Sequence, residues 1–287
     1  MIDYLGKFFM RTCGYLTLLF FFGSSAKAGV VIDIDYTGPT QYQSAFTNAA
    51  NTWESLLLGY QDGVVQIPSS GSSYNVGQTV STIFVTANLA VNDGVGGILG
   101  SAGPTAVARD QSGFWLATDS TMTFDSDDID VLFNNGSLDS LILHELGHSL
   151  GFGTVWALNG VTNLTGDEFI GAEATAIWQS EFGQTGTPDI ETEGGPGTAG
   201  GHWNENLDGS GLTGITDSLG RDMRDELMTG WLNPNSFISE LTLASFRDIG
   251  FTTASATAVP EPGTGGVLVA GLVAAMGWRR RRSQAVT

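Results

Sequence analysis

Cysteine is nearly absent from these 287 residues. The single one, Cys13, lies close to the N-terminus, so a chain starting near Gly29 carries no thiol. That excludes disulfide staples, thiolate metal ligands and a cysteine-based zymogen lock from the rest of the sequence. Stability must then come from an apolar core, and about 230 residues suffice to build one. Positive charge is equally scarce. Between Gly29 and Val259 there is no lysine, and Arg109, Arg221, Arg224 and Arg247 are the only basic residues. All of the 30 acidic residues except Asp3 and Glu261 fall in the same stretch, which leaves a net charge near −24. Such a surface argues against nucleic acid or an anionic membrane as a partner. It favours solubility and can collect divalent cations. Histidine, too, is used sparingly: His144, His148 and His202 are all there are.

The two ends read as addresses rather than fold. Lys7 and Arg11, the short apolar stretch Gly14–Gly23 and the small-residue site Ala26-Lys27-Ala28 have the three parts of a secretory signal peptide over 1–28. Gly29 is then the expected mature start. Residues 252–259 form a small-residue linker. Val259-Pro260-Glu261-Pro262 follows, then an apolar run from Gly263 to Trp278, then Arg279 to Arg282. The run is about 16 residues, at or just under the length that spans a bilayer, and the arginines would stay on the cytoplasmic side. Residues 260–287 resemble the PEP-CTERM sorting tail of Gram-negative bacteria. The resemblance implies an exported protein, transiently held in the membrane by this segment, with an exosortase-type processing enzyme as partner and the cell surface or the medium as destination. A plain C-terminal membrane anchor is the alternative.

Between the ends, Val30–Tyr36 alternates apolar and acidic residues, as a half-buried strand does. Gln41–Leu58 sets Ala45, Ala49, Trp53, Leu56 and Leu57 near one helical face. Residues 63–67 and 81–91 read as strands, 94–104 as a glycine-rich loop and 121–124 as a short strand. Ser137 is a candidate cap for a helix over 138–150, with Asp139 in its first turn and Gly151 at its stop. Residues 167–182 and 237–249 read as helices and 183–201 as loop. Strands come first and helices later, so the fold class is α+β: a twisted N-terminal sheet with helices, then a mostly helical or irregular C-terminal part.

His144-Glu145-Leu146-Gly147-His148 is an HExxH motif. Residues four apart on a helix differ by about 40° in azimuth, so both imidazoles leave one face and can bind one Zn²⁺. Leu141–Leu143, Leu146 and Leu150 make the helix largely buried, where two histidines and a glutamate need partners. A third nitrogen ligand would complete a catalytic zinc with water in the fourth position. If that ligand is a histidine, only His202 is available; if it is an acid, Glu168 and Glu173 lie in a suitable region. Glu145 could take a proton from the zinc-activated water and deliver it to the leaving amine. Ser149 has no further histidine to serve it as base, so it is not a credible nucleophile.

HELGHSLGFGTVW (144–156), GGPGTAGGHW (194–203), DELMTG (225–230) and LTLASFRDIGF (241–251) together resemble the leishmanolysin-type branch of the metzincin zinc peptidases. The resemblance covers most of 29–251. Ordinary metzincins read HExxHxxGxxH; here Gly151 matches, position 154 is threonine, and the third histidine is displaced by an insertion over 152–201. The resemblance implies a metzincin-like endopeptidase acting on protein or peptide substrates. His144, His148 and His202 would be zinc ligands, Glu145 the catalytic acid/base and Met228 the methionine of the turn beneath the metal. Met228 taken alone reads as core packing.

Weaker signals remain. Asp125, Asp127, Asp128 and Asp130 form an acidic cluster. Asn204, Asn206 and Asp208 before Gly209 are faintly like a calcium loop, with no glutamate at the closing position. Solvated acidic loops are the plainer reading, and Ca²⁺ is the alternative. A catalytically silent surface or matrix protein that keeps zinc is the rival to an enzyme. Retention of Glu145 speaks against it, since a structural site needs no general base.

Overall fold

In the strand Thr82–Ala90, Ile83, Val85 and Ala87 are buried while Phe84, Thr86 and Asn88 face outward. This period of two commits one face of a sheet to the core. The computed structural model describes residues 29–62, 65–195, 197–205 and 211–255. The signal-peptide and sorting-tail segments, the second half of the linker (256–259), and Asn206 and Asp208 lie outside them. The strands are β1 (Val31–Thr37), β2 (Leu57–Tyr60), β3 (Val65–Pro68), β4 (Thr82–Ala90), β5 (Gly100–Asp110), β6 (Trp115–Asp125) and β7 (Phe251–Thr253). Five of them form a mixed sheet in the order β1-β4-β6-β5-β3. β1, β4 and β6 run parallel, and β5 and β3 are antiparallel to their neighbours. β2 and β7 make a separate antiparallel pair. β1 is an outer strand, and Glu54 accepts a hydrogen bond from Ile32 N at 2.8 Å, which occupies one of its edge donors.

Two helices cover the buried face. α1 (Gln43–Leu56) turns Ala45, Phe46, Ala49, Trp53 and Leu56 inward and lies against β1. α3 (Leu138–Leu150) lies against β5 and β6 and packs on α1. Trp53 is fully buried between them and donates from Nε1 to Leu143 O at 2.9 Å. α3 is enclosed nearly all round, so every polar side chain on it must find a partner inside the protein. α2 (Ile129–Asn135) precedes it, and α4 (Trp156–Asn159), α5 (Ala172–Ser180) and α6 (Glu240–Asp248) follow. Beyond α3 the chain is held by isolated bridges, Ile190 with Trp203, Trp203 with Thr229 and Glu226 with Phe237. An aromatic cluster binds this irregular part to the end of α3. Phe152, Trp156, Phe169 and Trp203 are all buried, with ring centroids 4.6–5.4 Å apart.

The α+β class and the helix over 138–150 are as expected from the sequence. Several details differ. The helix read over 41–58 ends at Leu56, where Leu57 turns extended and begins β2. Gly100–Pro104, read as loop, is the start of β5; its register shifts after Pro104, so the proline sits at an irregularity where a ladder bond is dispensable. The short strand at 121–124 is the end of an eleven-residue one. The helix expected over 167–182 begins only at Ala172, because Glu168 and Phe169 are engaged in bridges. Ser137 does not cap α3 through its side chain. α2 ends at the left-handed Gly136, and Ser137 enters α3 already helical (φ −89°, ψ −12°), which is not the extended geometry a capping serine uses. Among the described residues no helix is long and apolar enough to cross a membrane.

Candidate metal centre

Each imidazole is held from behind by a backbone carbonyl. His144 Nδ1 donates to Leu227 O at 2.7 Å, His148 Nδ1 to Phe152 O at 3.0 Å and His202 Nδ1 to Thr198 O at 2.7 Å. A carbonyl only accepts, so the proton sits on Nδ1 and the lone pair on Nε2. The three Nε2 atoms face one another at 2.9 Å (His148–His202), 3.0 Å (His144–His148) and 3.1 Å (His144–His202). Three lone pairs aimed at one point repel unless a cation lies between them. Protons cannot supply it. Burial, with the neighbouring histidines adding to it, pushes His144 down to about 3 and His148 well below its ordinary value, and burial alone takes His202 to about 4. The histidines are therefore neutral near pH 7. Three neutral imidazole nitrogens are a donor set suited to zinc, and this structure brings them within reach of one ion.

Local chain geometry explains the arrangement. α3 ends at Gly151 (φ +122°), whose left-handed turn lets Phe152 present its carbonyl to His148. Thr154, which stands where the ordinary motif has its third histidine, instead donates from Oγ1 to His148 O at 2.8 Å. His202 arrives on a glycine-rich loop whose ends are tied by Glu191 N to His202 O (2.9 Å) and Gly200 N to Glu191 O (2.7 Å). Gly153 lies against Gly201; a Cβ there would fall 2.3 Å from Gly201 O. Two glycines thus let the turn after α3 and the His202 loop touch backbone to backbone.

Glu145 follows His144 on α3 and is buried, and burial lifts its pKa to about 8. It packs on the start of β5, where a Cβ at Gly100 would lie 2.9 Å from Oε1. Met228 is fully buried beneath α3; a Cβ at Gly147 would meet its Sδ and Cε at 2.8 Å. Glycine at 147 is what leaves room for the methionine between the two helical histidines.

Of the other candidates, Glu168 and Glu173 are engaged elsewhere, Glu168 near Asn163 and Glu173 with Arg247. Ser149 is wholly buried. The acidic cluster does not converge. Asp125 accepts Asp127 N and Asp93 N, bonds that hold its pKa below the usual carboxylate range, and Asp128 accepts Gly96 N. Asp130 accepts the Tyr42 hydroxyl. Calcium gains no support from these contacts. Residues without a sequence signal are Leu227, Phe152 and Thr198, which act through their carbonyls. Gly100 and Gly153 were legible only as glycines.

The family model of leishmanolysin, a peptidase, matches residues 117–260, and the model of the PEP-CTERM protein-sorting motif matches 258–282. No curated protein matches the chain.

Proposed function

The chain belongs to the leishmanolysin family of zinc-dependent peptidases, and from that premise we propose that it is an exported endopeptidase whose site is His144, His148 and His202 with Glu145. The observation that carries this reading is the convergence of three neutral Nε2 atoms within 3.1 Å of one another, each fixed from behind by a carbonyl. We assign 1–28 to the signal peptide, 29–251 to a metzincin-like catalytic domain with the insertion 152–201, 252–259 to the linker and 260–287 to the sorting tail.

A zinc ion held by the three histidines would supply Lewis acidity toward water and the scissile carbonyl. The chain's own residues do the rest. Glu145 sits one residue from a ligand in a site largely closed to solvent, and a cation nearby draws its raised pKa back down. As carboxylate it takes a proton from the attacking water; as acid it returns that proton to the leaving nitrogen. Met228 fills the space under the histidines and keeps the helix from settling closer. β5 supports a peptide substrate. Among the described residues β3 pairs only with Ala108–Asp110, so the stretch from Gly100, beside Glu145, carries no strand on that side. An extended peptide can add there by main-chain hydrogen bonds.

The test is zinc content with casein cleavage, with and without a chelator, on wild type and Glu145→Ala. One zinc per chain, chelator-sensitive cleavage and a zinc-loaded but inactive variant are expected. Cleavage by Glu145→Ala at the wild-type rate overturns the mechanism; zinc without cleavage in every preparation leaves a silent zinc protein.

A further inference from the structure

Glu226 is 1% exposed and lies in the turn that carries Met228. Its Oε2 accepts Met228 N at 2.6 Å. That N–H and the Leu227 carbonyl belong to one peptide group, and Leu227 O is the acceptor for His144 Nδ1. The carboxylate therefore stands one peptide unit behind the imidazole. Its other oxygen accepts Ser239 N (3.1 Å), Ser239 Oγ (2.8 Å) and Thr242 Oγ1 (2.6 Å). Thr242 Oγ1 in turn accepts Trp203 Nε1 at 2.9 Å, and Trp203 N donates to Met228 O at 3.0 Å. Trp203 is the residue after His202. One buried carboxylate thus joins the turn under α3, the N-terminus of α6 and the loop segment that delivers the third histidine.

We infer that Glu226 is a positioning residue for the metal centre, orienting and polarising His144 through the Leu227–Met228 peptide and fixing His202 through Thr242 and Trp203. The inference rests on the reading that the three histidines hold a metal. Its physical basis is that a ligand imidazole gains basicity and a fixed ring plane from the acceptor on its far nitrogen. A carboxylate on the same peptide's N–H strengthens that acceptor, because bonds in a chain polarise one another in a low-dielectric interior. Burial pushes the Glu226 pKa up, and the four hydrogen bonds pull against it. Each oxygen receives a backbone N–H, which cannot turn into an acceptor. Glutamine has almost the same shape, but its NH₂ must oppose either Met228 N–H or Ser239 N–H.

The experiment measures zinc affinity of the full chain by competition with a chromophoric chelator, and the visible bands of the Co²⁺-substituted chain. The variants are Glu226→Gln, Thr242→Val and, as a core truncation away from the network, Ile83→Ala in β4. Glu226→Gln should weaken zinc binding about 10–100-fold, the range for losing an outer partner of a ligand, and shift the Co²⁺ bands. Thr242→Val cuts the Trp203 branch alone and should show a smaller change in the same direction. Ile83→Ala should leave affinity and bands unchanged while lowering stability. If Glu226→Gln does not fold, Thr242→Val decides. Wild-type affinity and bands in the folded variants, or an equal loss in Ile83→Ala, overturn the inference. A wild-type chain that binds no zinc overturns instead the reading beneath it.

Discussion

Neutralising Glu145 should cut cleavage by orders of magnitude and, in the zinc-free chain, give a stability advantage that grows as pH rises. In the unfolded chain this acid loses its proton near pH 4.5; in the folded, metal-free chain it keeps it to about pH 8. Folding takes up a proton across that window, so its contribution to stability falls with rising pH at about 1.4 kcal/mol per unit. The histidines act in the opposite sense and lower down. Their folded pKa values lie below 6.5, so their term rises with pH until about one unit above 6.5 and is level beyond, and it is common to wild type and variant. Between pH 6.5 and 8 the Glu145 term should therefore cost roughly 1.5–2 kcal/mol. Glu145→Gln lacks that term. Urea unfolding of chelator-treated wild type and variant, followed by tryptophan fluorescence at pH 6.5, 7.2 and 8, gives the difference directly, and other titrating groups cancel in it. The variant's advantage should grow by the stated amount while its cleavage rate falls about 10²–10⁴-fold, the usual worth of a general base. With zinc bound, the growth should shrink, since the cation favours the carboxylate. A difference that stays constant across this range would refute the desolvated placement of Glu145 against Gly100.

His202→Ala should lower zinc affinity by more than about 100-fold, beyond what outer partners of ligands are worth; full retention of zinc would mean that an acid supplies the third ligand. Gly153→Ala places a Cβ on Gly201 at a backbone angle (φ +70°) that suits glycine. It should displace the His202 loop and lower both zinc affinity and cleavage, while wild-type values would show that the loop is not held there.

The sequence exposed those parts of the fold where composition and periodicity agree. The helix over 138–150 is bounded by Ser137 and Gly151 and filled with leucine, and β4 alternates cleanly, so both were legible. β5 was not, because Gly100, Gly103 and Pro104 read as loop. A neighbouring strand and the α3 helix impose the extended form there. α2 was hidden by its acidic approach, Asp125–Asp128, which reads as solvated loop although Asp125 and Asp128 are buried. Of the site, His144 and His148 stood out by their spacing, and His202 by its scarcity together with the family resemblance. The groups that aim them did not. Three are main-chain carbonyls, which any residue carries, and Glu226 is one acid among thirty, singled out only by what folding brings to it.

His148 and His202 are 54 residues apart in the chain. A metal bound to both would close that loop as a covalent crosslink does, and a cross-tie of that span restrains an unfolded chain by on the order of 4 kcal/mol. Residues 29–251 hold no thiol, so such an ion would do the job that a disulfide does in secreted proteins. It is a clasp that a chelator opens and that needs no oxidant to close. Zinc supply around the protein would then set how firmly the folded chain resists unfolding and proteolysis, as well as how much of it is active.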